Sequence, residues 1–396
     1  MFSTQTIMSN LFEGEIFEPI KNIDTGVIDL CDADIDDKYI KGEVRIVTEQ
    51  GRYPLASIKS MLDGDQYKLN PEYQRRRRWN RTQQSKLIES LIINVPIPPV
   101  FLYEYEFSQY EVMDGLQRLT AIREFYDNQY ALEGLDQWPE LNGKKYTELP
   151  EQVRKGIDRR YISSIILLKE TAKSEVDARK LKQLVFERIN SGGVHLSEQE
   201  SRNALYPGPL NSLTIHLAET PHFREMWDIE GYEAYDNTND RYAKMEDVEL
   251  VLRFFAYRHI DQWENMTLKQ FLDQFLIKGN HFPKEVLDKY SIIFNSTIEL
   301  LYSLYGQDAF KIMRKRGANW NLYDRPTKVI YDPLMMAASN FIDHSDTLIN
   351  KKDLIRPATY ELEKEQYAIL GGRNTNKKDV LERYEILNSF FRSYIS

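Results

Sequence analysis

The stretch Tyr110-Glu111-Val112-Met113-Asp114-Gly115-Leu116-Gln117-Arg118-Leu119-Thr120-Ala121-Ile122 sets an acid, a glycine and an arginine where an apolar strand gives way to an amphipathic helix. A glycine at such a junction lets the backbone approach a ligand closely. The first helical turn leaves N–H groups unpaired, with a partial positive charge. Together these features suit a phosphate. Asp114 could offer a carboxylate to Mg2+ or to a metal-bound water, and Gln117 and Arg118, one turn in, could reach back to anionic oxygens. The same residues also read as a plain Asp-Gly turn followed by a helix with a surface Gln-Arg pair.

The second chemical feature is Gln74-Arg75-Arg76-Arg77-Arg78-Trp79-Asn80-Arg81, with five arginines in eight residues. Such a run could neutralise DNA phosphates, clamp the triphosphate of a nucleotide, or stand in solvent paired with the chain's surplus carboxylates. That surplus is real, since 61 acids face 52 bases for a net charge of −9. DNA attraction over the whole surface is therefore excluded, and any DNA contact has to come from a local patch.

Other chemistries lack their residues. Cys31 is the single cysteine, so there is neither an internal disulfide nor a thiolate zinc cluster, which fits a reducing compartment. The six histidines show no ligand spacing, and neither a Walker lysine nor a Gly-x-Ser-x-Gly elbow is present. No apolar run is long enough for a membrane span and no signal-peptide pattern opens the chain, so the expected location is the cytoplasm.

Elements must position these residues. Residues 1–41 read as a solvated acidic arm, with Asp32, Asp34, Asp36 and Asp37 close together. Alternation predicts a strand over 42–48, then a short helix over 54–62. A helix over 82–95 is stopped by Pro96, Pro98 and Pro99, and strands follow at 100–103 and 110–113. Helices over 115–129 and 151–160, a buried strand over 161–168 and a helix over 174–188 complete this part. The last helix is expected to turn Val176, Leu181, Leu184 and Val185 inward, with Arg188 at its C-terminal end, where the helix dipole favours a cation. Asn190-Ser191-Gly192-Gly193 reads as a turn, and Ser197 with Glu200 as a capping box for a helix to Leu205. After Pro207-Gly208-Pro209 the segments 210–219, 245–260, 267–277, 284–305, 333–342 and 377–394 are helical. The expected fold class is α+β, a small mixed-sheet domain followed by an all-helical domain, divided as 1–41, 42–206 and 207–396.

Residues 114–120 resemble the Asp-Gly-Gln-Gln-Arg-Leu-Thr signature of the N-terminal domain of GmrSD-type restriction endonucleases, a ParB/sulfiredoxin-like family. Two flanking blocks are similar to the same family in the same order. Upstream are Leu69-Asn70-Pro71-Glu72-Tyr73-Gln74-Arg75, Trp79, Leu87 to Ile92 and Pro96 to Val100. Downstream are Phe186-Glu187-Arg188-Ile189-Asn190-Ser191-Gly192-Gly193 and Glu200 to Ala204. A weaker likeness continues through Arg241, Met245, Glu246 and Glu249 to Phe255. Leu116 departs from the pattern, standing where the family has its first Gln.

The resemblance implies a protein of a bacterial anti-phage restriction system that binds and hydrolyses a nucleoside triphosphate with Mg2+ and acts on foreign or modified DNA. Asp114, Gln117 and Arg118 would be catalytic, with Asp114 also holding the metal. Gln74, Arg75, Gly115, Thr120, Arg188 and Asn190 would hold the nucleotide, leaving Arg76, Arg77, Arg78 and Arg81 for DNA. In this family the cutting belongs to a histidine- and asparagine-based nuclease domain, fused or supplied by a partner, of which no block is found through Ser396, so a self-contained nuclease is disfavoured and a separate nuclease subunit is compatible with the sequence. A DNA-binding or nucleotide-sensing subunit without hydrolysis is the alternative, and a homo-oligomer is compatible with either.

Overall fold

The computed structural model describes residues 11–19, 36, 46–69, 79–168, 175–190, 197–229 and 244–395. Cys31, Asp32, Asp34, Asp37, the strand start expected at 42–45, Gln74 to Arg78, Ser191 to Gly193 and Arg241 lie outside the described residues. The described residues divide into two compact units, one within 27–196 and the other formed by 197–395 together with 11–19.

The first unit is built on a mixed five-stranded sheet, in the order β1 (Thr48–Pro54), β5 (Tyr161–Leu168), β3 (Val100–Glu106), β4 (Gln109–Asp114), β2 (Tyr67–Lys68). β3 and β5 run parallel, as do β2 and β4, while the β1–β5 and β3–β4 pairs are antiparallel. Helices α1 (Ile58–Asp63), α2 (Arg81–Ile93), α3 (Leu116–Tyr126) and α4 (Glu151–Asp158) bury their apolar residues in one core with Val100, Leu102, Val112, Ile162 and Ile166 of the sheet. Asn80 and Gln83 form a capping box that starts α2, and Asn94 in the left-handed region ends it just ahead of the prolines. Helix α5 (Glu175–Asn190) completes the unit.

Of the strand expected over 42–48, residues 46 and 47 are outside any strand and Thr48 opens β1 (Thr48–Pro54), so Pro54 ends a strand rather than starting a helix. β1 is an edge strand exposed along most of its length, so its sequence carries little apolar alternation, and an edge tolerates the proline.

The second unit is mostly helical, with α6 (Glu198–Leu205), α7 (Pro209–Leu217), α8 (Glu246–Ala256), α9 (Leu268–Gly279), α10 (Lys284–Tyr305), α11 (Lys328–Ser339), α12 (Lys352–Glu365) and α13 (Lys377–Ile395) as its principal elements. It is not all-helical as expected. A hairpin, β6 (Met313–Arg316) and β7 (Asn319–Leu322), interrupts it, built from charged and amide residues that lack the period-two apolar signal. Nor are residues 11–19 a solvated arm, because Glu15 and Phe17 are buried in this unit, Phe17 edge-on to Phe271 and Phe275.

Glu363 on α12 accepts a hydrogen bond from the Met313 backbone N–H at 2.8 Å and so ties the hairpin to the helices. Burial pushes its carboxyl up from 4.5 to about 7, against the smaller opposing pull of that N–H. A raised folded-state value makes this group's contribution full below its usual value and lost as pH rises through 7. Between about pH 5.5 and 8 it should cost the protein about 2 kcal/mol. Glu363→Gln keeps an acceptor for Met313, so denaturant unfolding at the two pH values should show that loss abolished in the variant.

Candidate functional site

Strand β4 delivers Asp114 to the end of the sheet, and Gly115 takes the N-cap of α3 in the left-handed region, with φ 98° and ψ 7°. A Cβ at Gly115 would sit 2.6 Å from Val100 Cγ1 and 3.1 Å from Arg118 Nη2, so both conformation and space require glycine here. No side chain caps α3, which leaves its first amides without an intrahelical acceptor.

Arg118 is the buried element of the site. Its Nη2 donates to Asp114 Oδ2 at 2.6 Å and its Nη1 to the Pro98 carbonyl, joining the strand end, the first turn of α3 and the proline loop before β3. The Arg118 side chain is 11% exposed, whereas that of Asp114 is 42% exposed. The pair therefore presents a carboxylate outward on a buried cationic support. Leu116 is buried in the hydrophobic core, so this position, polar in the family signature, turns inward here. Gln117 accepts a hydrogen bond from the Trp79 backbone N–H at 3.2 Å, pinning the first described residue after the arginine run to the first turn of α3. Thr120 lies half-buried on the same helix.

The remaining expected site residues fall as follows. Arg81 lies at the start of α2, donating to Gln84 at 2.7 Å and pairing with Glu124 at 3.0 Å, with half of its side chain still in solvent. Arg188 is exposed in the last turn of α5 and Asn190 closes that helix, its side chain outside the described residues. The expected inward face of α5 needs correcting. Val176 has its side chain outside the described residues, Leu181, Leu184 and Val185 are only partly buried, and the buried positions among the described side chains are Ala178, Lys182 and Phe186.

Lys182 explains the difference, and sequence reasoning missed it. Its ammonium lies 2.7 Å from Glu111 Oε2, both side chains 11% exposed, and 5.5 Å from the Tyr103 ring centre. A charge in the middle of a helix's buried stripe hides that stripe from an apolar pattern. The 178, 182, 186 spacing, with a lysine at its centre, was the available signal. The pair anchors α5, which carries Arg188 and Asn190, to β4 three residues before Asp114.

Among the described residues no group of three or more His, Cys, Asp and Glu is placed to hold a metal. The single half-exposed carboxylate of Asp114 fits Mg2+ in the way that ion is usually held with nucleotides, by one or two carboxylates plus substrate phosphates and water. No helix among the described residues is long and apolar enough to cross a membrane.

No curated protein and no solved structure matches the chain. Residues 58–207 match the family described as GmrSD restriction endonuclease, N-terminal domain, a span that contains β3, β4, α3, α5 and the Asp114–Arg118 pair. The chain therefore carries a GmrSD restriction endonuclease N-terminal domain over residues 58–207, which points to a restriction-system protein.

Proposed function

We propose that residues 58–207 bind a nucleoside triphosphate with Mg2+ at the start of α3 and hydrolyse it, as the nucleotide-driven part of a restriction system directed at foreign or modified DNA. The observation that carries this reading is the left-handed Gly115 at an uncapped helix start, beside a half-exposed carboxylate that a buried arginine holds in place.

The first-turn amides of α3 would receive phosphate oxygens, at a point where any side chain in place of Gly115 would strike Val100. Asp114 would give one oxygen to Mg2+, and Arg118 positions that oxygen rather than reaching the phosphates itself, since its guanidinium is engaged with Asp114 and Pro98. Mg2+, when bound, supplies charge neutralisation across the phosphates. Gln117, held to the Trp79 backbone N–H through one hydrogen bond, would help orient the attacking water. Arg188 and Asn190, on the helix that Lys182 and Glu111 fasten to β4, would close the pocket.

A nucleotide sensor that works with a separate nuclease is favoured by two observations, the engaged Gln117 and the inward-facing Leu116. Equilibrium binding and phosphate release, measured with each of the four NTPs and Mg2+, with and without DNA, separate the readings. Binding with turnover supports the proposal and binding without turnover supports the sensor, while absence of any binding removes both.

A further inference from the structure

The hairpin of the second unit has two unlike faces. Cross-strand register pairs Met313 with Leu322 and Lys315 with Trp320, while Arg314 pairs with Asn321 and Arg316 with Asn319. Because side chains alternate along a strand, Met313, Lys315, Trp320 and Leu322 share one face and Arg314, Arg316, Asn319 and Asn321 the other. On the first face Met313 is buried and Trp320 lies edge-on to Tyr367 at 5.0 Å, while Lys315 near the turn is exposed. On the second face Arg316, Asn319 and Asn321 are exposed, and the Arg314 guanidinium sits 4.3 Å from the Tyr323 ring centre.

These cations also lack the partners that others in the unit have. Arg202 is matched by Asp273 and Glu249, Arg253 by Asp332, and Arg356 by Asp308. Among the described residues no carboxylate pairs with Arg314, Lys315, Arg316 or the nearby exposed Arg325. In a chain of net charge −9, four unpaired cations on one short stretch form a local positive site.

We infer that the β6–β7 hairpin is a ribbon for double-stranded DNA, entering the major groove with its arginine and asparagine face. Four residues a side give a ribbon about 13 Å long, and the groove, about 12 Å wide, admits a two-stranded ribbon. Arginine makes two hydrogen bonds to guanine and asparagine two to adenine, so alternating Arg–Asn pairs are base-reading chemistry as well as phosphate-binding chemistry. Single-stranded nucleic acid would call for exposed aromatic platforms, whereas Trp320 is turned against Tyr367. The site needs no nucleotide at Asp114.

The test is fluorescence anisotropy of the full chain with a labelled DNA duplex, without nucleotide, over a salt series. Wild type should bind the duplex with strong salt dependence. Arg314→Ala/Arg316→Ala should lose at least about tenfold in affinity. Because Arg314 rests on Tyr323, the exposed pair Arg316→Ala/Asn319→Ala serves as a second variant with the same expected direction, and both should melt as wild type does. Asn319→Ala/Asn321→Ala should relax sequence preference while keeping the salt slope. Absence of duplex binding in wild type would overturn the inference. So would unchanged affinity in both arginine variants, or equal affinity for anionic vesicles or single-stranded RNA. NTP binding measured on the same variants should be unaltered, so failure of the ribbon and failure of the nucleotide site are told apart.

Discussion

Arg118→Ala should destabilise the first unit by about 3 kcal/mol and weaken NTP binding at least about a hundredfold. The stability loss follows from two hydrogen bonds of a charged donor, each worth about 1.5–3 kcal/mol, less what solvent returns to the exposed Pro98 and half-exposed Asp114. The affinity loss follows from geometry. Without the guanidinium, Asp114 is free to rotate at the end of β4, and the mouth of the site loses its only described link to the proline loop. Arg118→Lys separates the two contributions, because lysine keeps the charge but cannot fork between Asp114 and Pro98. It should retain more stability than the alanine variant and still lose most of the affinity. Denaturant unfolding and calorimetric titration with the preferred NTP check both numbers. Loss of stability with undiminished affinity would make Arg118 a folding residue alone.

Glu15→Ala should cost the helical unit about 4 kcal/mol. The Glu15 side chain is fully buried and accepts from Arg258 Nε and Nη2, each at 2.8 Å, from Tyr290 Oη at 2.8 Å and from the Phe12 backbone N–H at 2.8 Å. His259 Nε2 lies 3.1 Å away. Burial alone would push this carboxyl up, but Arg258, His259 and the Phe12 N–H outweigh it and hold it at about 2, below its usual 4.5. A depressed folded-state value gives stability that is complete above the usual value and lost as pH falls from 4.5 through 2. Wild type should therefore lose about 3 kcal/mol across that acid window, and the alanine variant should not. Removing the carboxylate leaves Arg258 buried without its countercharge, so the melting midpoint of this unit should fall by about 10 °C. A fall of only a degree or two would mean that the 11–19 segment is peripheral.

Local patterns were legible in the sequence and long-range pairings were not. The β5 strand over 161–168 and the long helix over 284–305 appear with the expected bounds, because each is a sustained pattern with clear ends. The capping box expected at Ser197 forms, and a second at Asn80, not read from the sequence, rests on the same short spacing. Asp114 and Arg118 are likewise four residues apart, so their pairing across the helix start is local. By contrast, Arg118 reaches Pro98 twenty residues back, Lys182 meets Glu111 at a separation of 71, and Glu15 meets Arg258 at 243. Nothing in a window of sequence specifies those partners, and each one reversed or completed a local reading. Lys182 turned α5 onto another face, and Glu15 drew an apparently solvated arm into a core. Pro357 lies within α12, which masks that helix from pattern reading.

Asp114→Asn bears most directly on the nucleotide site, because the amide oxygen can still accept from Arg118 while the metal-binding charge is gone. Titration of wild type and variant with each NTP, in Mg2+ and in EDTA, should show Mg2+-dependent binding in wild type that falls at least about tenfold in the variant while metal-free binding is retained, and the variant's melting midpoint should fall modestly because the buried Arg118 loses its countercharge. Equal Mg2+-dependent affinity in the two proteins would contradict a phosphate site at the start of α3.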